Sequence, residues 1–307
     1  QVHIARYGMY LTTECGEANA KLKIRMTLHA PKETALKMAK TKGLAAVFCL
    51  KDAEGNAAAQ TEIWLDGDWE AADADAAVLS GIDREQKTDR DRNIDGEPKY
   101  AGKPEEICQM TKELELPILQ PVLWNHENPY RYHLVTVLKD GETILEERTE
   151  TVGFREVTFD VKKGFLINGV REKLNGVCLH HDGGCVGAAV PPEIWRRRLE
   201  KLRDMGCNSI RCSHNPPDPA LLDLCDELGF YVMDEAFDEW RIMKAKEIGS
   251  NTHESHGYSM YFDQCHEWDL KTMLYRDRNH PAVVLWSIGN EIPEQVVEGG
   301  EALAIQL

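Results

Sequence analysis

The 307-residue chain has no run of 18 or more apolar residues, so nothing in it has the length and hydropathy of a membrane-spanning helix. Basic residues are short relative to acidic ones, 36 Lys and Arg against 52 Asp and Glu. The resulting net charge of −16 argues against nucleic-acid and anionic-membrane partners, because both need Lys and Arg to neutralise phosphate. There is no C-x-x-C pair and no H-E-x-x-H helix pair, which removes the commonest zinc signatures. No serine or cysteine sits in a G-x-S-x-G-like sharp turn, so acyl transfer has little support. No Gly-rich phosphate turn follows an apolar strand, which removes a dinucleotide fold. The start, Gln1-Val2-His3-Ile4-Ala5-Arg6, lacks the basic and apolar regions of a signal peptide and lacks an initiating Met. It reads as the first strand of a domain, with sequence expected upstream.

Nine cysteines, an odd count with scattered spacing, give no disulfide framework; Cys178, Cys207, Cys212 and Cys225 sit in apolar runs and read as small core residues. That pattern does not fix the compartment. An apolar fraction of 42% suffices for packed cores, and the length suits two domains.

The two halves differ in periodicity. Residues 1–50 and 117–161 read as strands. Lys21 to Leu28 alternates charged and apolar residues, the period of a half-buried strand. Tyr132 to Leu138 continues the style and leads through Lys139-Asp140-Gly141-Glu142, a hairpin signal, into a return strand Thr143 to Val152. Residues 1–161 are therefore expected to form an antiparallel β-sandwich. Between the strand sets, residues 52–116 read as an acidic insertion, with 13 acidic against 6 basic residues from Asp66 to Glu106.

After Lys162, short apolar strands alternate with helices. Leu174 to Leu179 is a strand, and Pro191-Pro192 opens a helix with Ile194, Trp195, Leu199, Leu202 and Met205 on one stripe, ending at Gly206. Cys207 to Ser213 is a second strand. Asp218 caps a helix with Leu221, Leu222, Cys225 and Leu228 inward and Gly229 at its end. Tyr231 to Met233 is a third strand, and Phe262, Cys265, Trp268 and Met273 mark a third helix. Ala282 to Ile288, apolar almost throughout, is expected to be a strand buried on both faces. Such repetition leaves an open doubly wound sheet and a (β/α)8 barrel in competition.

The polar residues favour the barrel. The four strands run into His180-His181-Asp182, Arg211 with Ser213-His214-Asn215, Asp234-Glu235, and Asn290-Glu291. One polar strand end is ordinary, but four at the same end match where a barrel builds its site. Glu291 follows an apolar strand, and desolvation there would raise its pKa and let it act as an acid. Carboxyl groups among amide, imidazole and guanidinium donors suit glycoside hydrolysis.

These segments resemble glycoside hydrolase family 2, of the β-galactosidase type. The resemblance rests on Asn175 to Asp182, Ile210 to Pro217, Val232 to Asp238, Arg276 to Pro281 and Trp286 to Glu291. It implies an immunoglobulin-like sandwich over 1–161 and the first half of a TIM-barrel catalytic domain over 162–307, with about four βα units. The family's sugar-binding jelly roll is expected upstream of these residues. The resemblance makes Glu291 the acid/base of a retaining, two-carboxylate mechanism and gives Asn290 the sugar's 2-hydroxyl. Arg211 would orient the nucleophile. His214, Asn215, His181 and Asp182 would line the terminal-sugar subsite, and Asp234 and Glu235 join that substrate-binding set. The nucleophile is expected beyond Leu307, so the 307 residues alone are expected to be inactive. Metal-dependent members carry Glu-Thr-His where this chain has Glu239-Trp240-Arg241; Arg241 replaces a ligand, and no metal or other cofactor is expected. His253 and His256 are expected to be solvated loop residues. The implied substrate is a terminal β-galactoside, with β-glucuronides and β-mannosides as alternatives within the family. A non-catalytic carbohydrate-binding protein on a decayed barrel is the alternative of another class. A homo-oligomer in the full-length form stays open.

Overall fold

A computed structural model of the chain describes residues 1–16, 18–41, 43–72, 107–244, 247–248, 251–252 and 257–307. The central part of the acidic insertion, 73–106, lies outside the described residues, as do His253 and His256. The chain forms two compact units, one of residues 1–121 and 132–152, the other of residues 122–131 and 153–307.

The first unit contains β1 (His3–Cys15), β2 (Asn19–Pro31), α1 (Lys32–Met38), β3 (Leu44–Lys51), β4 (Ala57–Trp64), β5 (Glu70–Ala71), β6 (Ile107–Leu119), β7 (Tyr132–Asp140) and β8 (Thr143–Val152). Two antiparallel sheets result, ordered β1-β2-β6-β5 and β4-β3-β7-β8, which make the sandwich. The alternation on β2 works as its sequence dictates. Leu22, Ile24, Met26 and Leu28 are buried, while Lys21 and Arg25 point to solvent. Each such buried side chain contributes roughly 1.5–3 kcal/mol. The hairpin forms at Asp140-Gly141, with Gly141 at φ +57°.

Two expectations for this unit need correction. Residues 1–50 are not all strand, because α1 interrupts them; it buries only Ala35, too little to give a helical stripe. The span 52–116 is not simply a loop. β4, β5 and β6 occupy its described ends, and β6 pairs with β2 along 13 residues. Its glutamates Glu113 and Glu115 lie on the solvent face opposite Arg25 and Lys23, where Glu115 also pairs diagonally with Lys21, so acidity there marks an outer sheet face.

The second unit opens with a small antiparallel sheet of β9 (Val157–Asp160), β10 (Gly164–Ile167) and β11 (Val170–Arg171), which spans the expected division at 161/162. There follow β12 (Gly176–His180), α2 (Pro192–Asp204), β13 (Ser209–Ser213), α3 (Pro219–Leu228), β14 (Tyr231–Glu235), the short hairpin β15 (Glu247–Ile248) and β16 (Asn251–Thr252), α4 (Phe262–Asp277), β17 (Val283–Ser287) and α5 (Gly300–Gln306). Among the described residues no helix is long and apolar enough to cross a membrane.

The main sheet is parallel and ordered β12-β13-β14-β17, so strands adjacent in sequence are adjacent in space. A doubly wound sheet reverses its order at a switch point; a barrel does not. This is four strands of a TIM barrel. Trp195 and Leu199 of α2, Leu222 and Cys225 of α3, and Ile210 and Val232 of the strands share one core. Asp218 accepts a 2.9 Å hydrogen bond from the Ala220 N–H, and Gly229 ends α3 at φ +78°. A Cβ there would lie 2.5 Å from the His126 carbonyl oxygen, so the position demands glycine twice over.

Three sequence details shift. Met205 is exposed rather than inward. α4 buries Phe262, His266, Leu270 and Met273, which leaves Cys265 and Trp268 beside the stripe instead of on it. Among the described residues β17 is the last strand of the sheet, and Trp286 is 41% exposed there.

Candidate active site

Strand alternation sorts the polar residues of the parallel sheet. Ile210, Cys212 and Val232 point to the helices, so Arg211, Met233 and Glu235 point to the inner face. Parallel register sets Leu179 and His180 beside Cys212 and Ser213, and Glu235 beside Ser287. The ends of all four strands therefore meet on one level.

Glu235 is the hub. It is wholly inaccessible and accepts from Arg211 Nε at 2.9 Å, Ser287 Oγ at 2.7 Å and His214 Nδ1 at 2.6 Å. A buried carboxylate is tolerable only with such charge-assisted partners. Because the carboxylate accepts, His214 Nδ1 carries a proton, and Nε2 remains for a ligand. The His180 ring stands edge-on to His214, with centroids 5.3 Å apart.

Arg211 extends the network. Its Nη2 donates to Asn290 Oδ1 at 2.9 Å, and Asn290 Nδ2 donates to Asp238 Oδ1 at 3.2 Å. Asp238 Oδ1 also accepts from Lys244 Nζ at 3.0 Å, and Lys244 Nζ lies 4.0 Å from Glu291 Oε2. Buried carboxylates pin the loop carrying these groups. Glu239 accepts from the Lys244 N–H at 3.0 Å and the Ser259 N–H at 3.1 Å, and Glu294 accepts from the Ile242 N–H at 2.7 Å. Gly257 packs so closely on Glu239 that a Cβ would overlap its carboxylate.

Glu291 differs from its expected setting. Its side chain is 83% exposed, so the described residues do not desolvate it. Its backbone sits at φ +47°, the left-handed region that a glutamate rarely adopts.

Of the residues singled out in the sequence, Arg211, His214, Glu235 and Asn290 form one hydrogen-bonded set, with Glu291 at its rim. Others do not join it. His181 donates through Nε2 to the Ala188 carbonyl at 2.9 Å and stands 5.3 Å from Trp195, while Asp182 accepts from the Gly184 N–H. Asn215 is exposed beside the set. Asp234 and Glu235 need correction as sugar-binding residues. Both are inaccessible, Asp234 because strand alternation turns it toward the helices and Glu235 because its partners enclose it. Asp238, Lys244 and Ser287 are members that the sequence does not flag, and His180, which the sequence places at a strand end, stands beside the set through its ring contact with His214. The residue step Asp234 to Asp238 and a Ser ending an apolar strand were the signals available.

Behind the sheet, Asp234 faces Asp277, which Arg276 grips through two 2.6 Å hydrogen bonds. Burial first, then the Asp277 charge, pushes the Asp234 carboxyl up to about 8. Asp223, Asp226 and His280 form a further cluster whose donor atoms lie within 4.8 Å of one another. Asp226 already serves structure there, accepting from His280 Nδ1 at 2.6 Å and the Ala282 N–H at 2.9 Å. Burial lowers the His280 pKa, but Asp226 outweighs it and the net direction is up. In the Glu239-Trp240-Arg241 loop, Arg241 pairs with Asp263 at the surface.

Comparison with known proteins matches two family models, "Glycosyl hydrolases family 2" over residues 2–155 and "Glycosyl hydrolases family 2, TIM barrel domain" over residues 159–303. The beta-galactosidase BoGH2A of Bacteroides ovatus is 39% identical over 295 residues, covering 96% of this chain and 29% of that protein. A putative beta-glucuronidase of Formosa agariphila is 39% identical over 200 residues, 64% of this chain and 18% of that protein. The crystal structure of a glycosyl hydrolase family 2 member from Bacteroides cellulosilyticus superposes with a TM-score of 0.78 at 29% identity, covering 99% of this chain and 33% of that one. The chain thus spans about a third or less of the length of these relatives. With both family domains present in order, the chain belongs to glycosyl hydrolase family 2.

Proposed function

We propose that the protein containing this chain is a retaining exo-β-glycosidase that hydrolyses terminal β-D-galactosides, with Glu291 as its acid/base. The observation that carries this reading is the continuous set Glu235–Arg211–Asn290, which ends beside Glu291 at the level of the strand ends. Glu235 fixes Arg211 and His214, so their free N–H and ring nitrogen face outward at constant positions. Asn290 presents its remaining amide hydrogen to a sugar hydroxyl, and His214 Nε2 presents a second polar contact. Glu291 donates a proton to the glycosidic oxygen as the C–O bond breaks and the aglycone leaves as an alcohol. A second carboxylate, expected on a later barrel strand, attacks the anomeric carbon; the two carboxyls would stand about 5–5.5 Å apart. Glu291, now anionic, then takes a proton from water, whose oxygen bonds to the anomeric carbon as the bond to the second carboxylate breaks and the sugar leaves. Its exposure at the rim gives an aglycone room to approach.

The galactoside preference draws on the likeness to BoGH2A. A β-glucuronide is the second reading, favoured by the Formosa agariphila relative. In the full-length protein, Glu291→Ala should lower kcat/KM on poor leaving groups by ~10²–10⁴-fold. Dinitrophenyl glycosides should suffer less, and azide should accelerate their turnover. Unchanged hydrolysis of the poor substrates would refute the acid/base role. A panel of aryl β-glycosides decides the sugar: faster kcat/KM on the glucuronide than on the galactoside would replace the first reading by the second.

A further inference from the structure

We propose that the Asp238–Lys244 ion pair is a positioning pair for the reaction, fixing the Asn290 amide in one orientation and holding an ammonium group beside Glu291. The inference rests on the roles given above to Asn290 and Glu291. Asn290 lies between a guanidinium, which can only donate, and a carboxylate, which can only accept. Its oxygen must therefore face Arg211 and its nitrogen Asp238; the flipped amide would oppose like to like at both ends. Asp238 enforces this only while its own carboxylate stays in place, and the Lys244 ammonium at 3.0 Å keeps it there.

Lys244 is itself restrained. Its side chain is 16% exposed, and its backbone N–H is tied to the buried Glu239 carboxylate. The ammonium cannot drift as a surface lysine does. At 4.0 Å from Glu291 Oε2 it is too far for a hydrogen bond, and it acts there as a fixed positive charge. When Glu291 gives its proton to the departing oxygen, negative charge appears on its carboxylate. A cation already in place stabilises that charge without reorganising. The benefit falls on substrates whose leaving group needs the proton.

The test uses the full-length protein and aryl β-glycosides of graded leaving-group basicity. Lys244→Met should reduce kcat/KM on the poorest leaving groups by ~10–100-fold, the scale of a misplaced catalytic group. The dinitrophenyl glycoside should fall by less than ~3-fold, since it hardly needs protonation. Lys244→Arg, which keeps charge and reach, should recover most of the loss. Equal losses across the series would mean that the ammonium does not act on Glu291 and that at most the Asn290 contact, which every substrate shares, is disturbed; no loss would mean that the pair does nothing; either result overturns the proposal. If Lys244→Met does not fold, Asp238→Asn, which keeps size and shape, is read by the same split. Glu291→Ala run in parallel separates the two readings. A Glu291→Ala variant without leaving-group dependence defeats the proposed function. A dependent Glu291→Ala with an independent Lys244→Met defeats only this inference.

Discussion

On the outer face of the sandwich, Lys21 meets Glu115 at 2.7 Å and Arg25 meets Glu113 at 2.6 Å, with all four side chains about half exposed. In the barrel part, Arg211 meets Glu235 at 2.9 Å, but the carboxylate is inaccessible and has two further donors. The residue types and distances are nearly the same. What differs is water. The exposed pairs exchange one solvated state for another and hold two strands that the sheet already holds. The buried carboxylate has given up hydration, and only a complete set of partners offsets that. A charge in that position organises its neighbours, whereas a surface charge decorates them.

The sharpest way to break this contrast is Glu235→Ala. It leaves Arg211 and His214 without their anchor and should cost about 3 kcal/mol, the lower end for a broken buried pair because Arg211 keeps some access to water. Activity should fall with it, through Arg211, His214 and Asn290. The midpoint of the barrel domain's urea transition measures the first effect. A loss no larger than that of a surface pair would erase the distinction between the two regions.

Asp234→Asn sharpens the contrast through pH. The Asp234 carboxyl stays protonated in the fold up to about 8, while in the unfolded chain it ionises near the ordinary aspartate value. Between those limits the folded state binds more protons, so its stability falls as pH rises. From pH 5 to 8 the wild type should lose ~2–4 kcal/mol from this group, and the asparagine variant should lose much less. Parallel curves for the two proteins across that range would show that the group does not titrate as described.

The smallest effect belongs to Glu115→Gln. Its urea midpoint should stay within measurement scatter, since the pair is half exposed and screened by salt. A clear shift would mean that outer-face charges matter more than solvation suggests.

The alternation of β2 and β7, the Asp140-Gly141 hairpin, the Asp218 cap and the Gly229 stop were all readable from residue order, because each depends on neighbours a few positions away. So were Arg211, His214, Asn290 and Glu291, which end strands of recognisable composition. β6 was not, since an average over many acidic residues hides which face of a strand they occupy. Asp238 and Lys244 were not either. Asp238 only closes the Val232 to Asp238 segment and Lys244 reads as a loop charge, and the meaning of both comes from Asn290, about fifty residues later. Buried Glu235 shows the same limit from the other side: its position was visible, but its enclosure depends on Ser287 and His214 arriving from other strands.

The backbone of Glu291 carries one more lesson. Left-handed geometry at a residue with a side chain costs roughly 1–2 kcal/mol, and glycine would relieve it. If Glu291 has the proposed acid/base role, heat resistance and chemistry pull in opposite directions at this position. A selection scored on thermal tolerance alone would favour discarding the glutamate, and homologues drifting free of catalytic demand would be expected to lose it early.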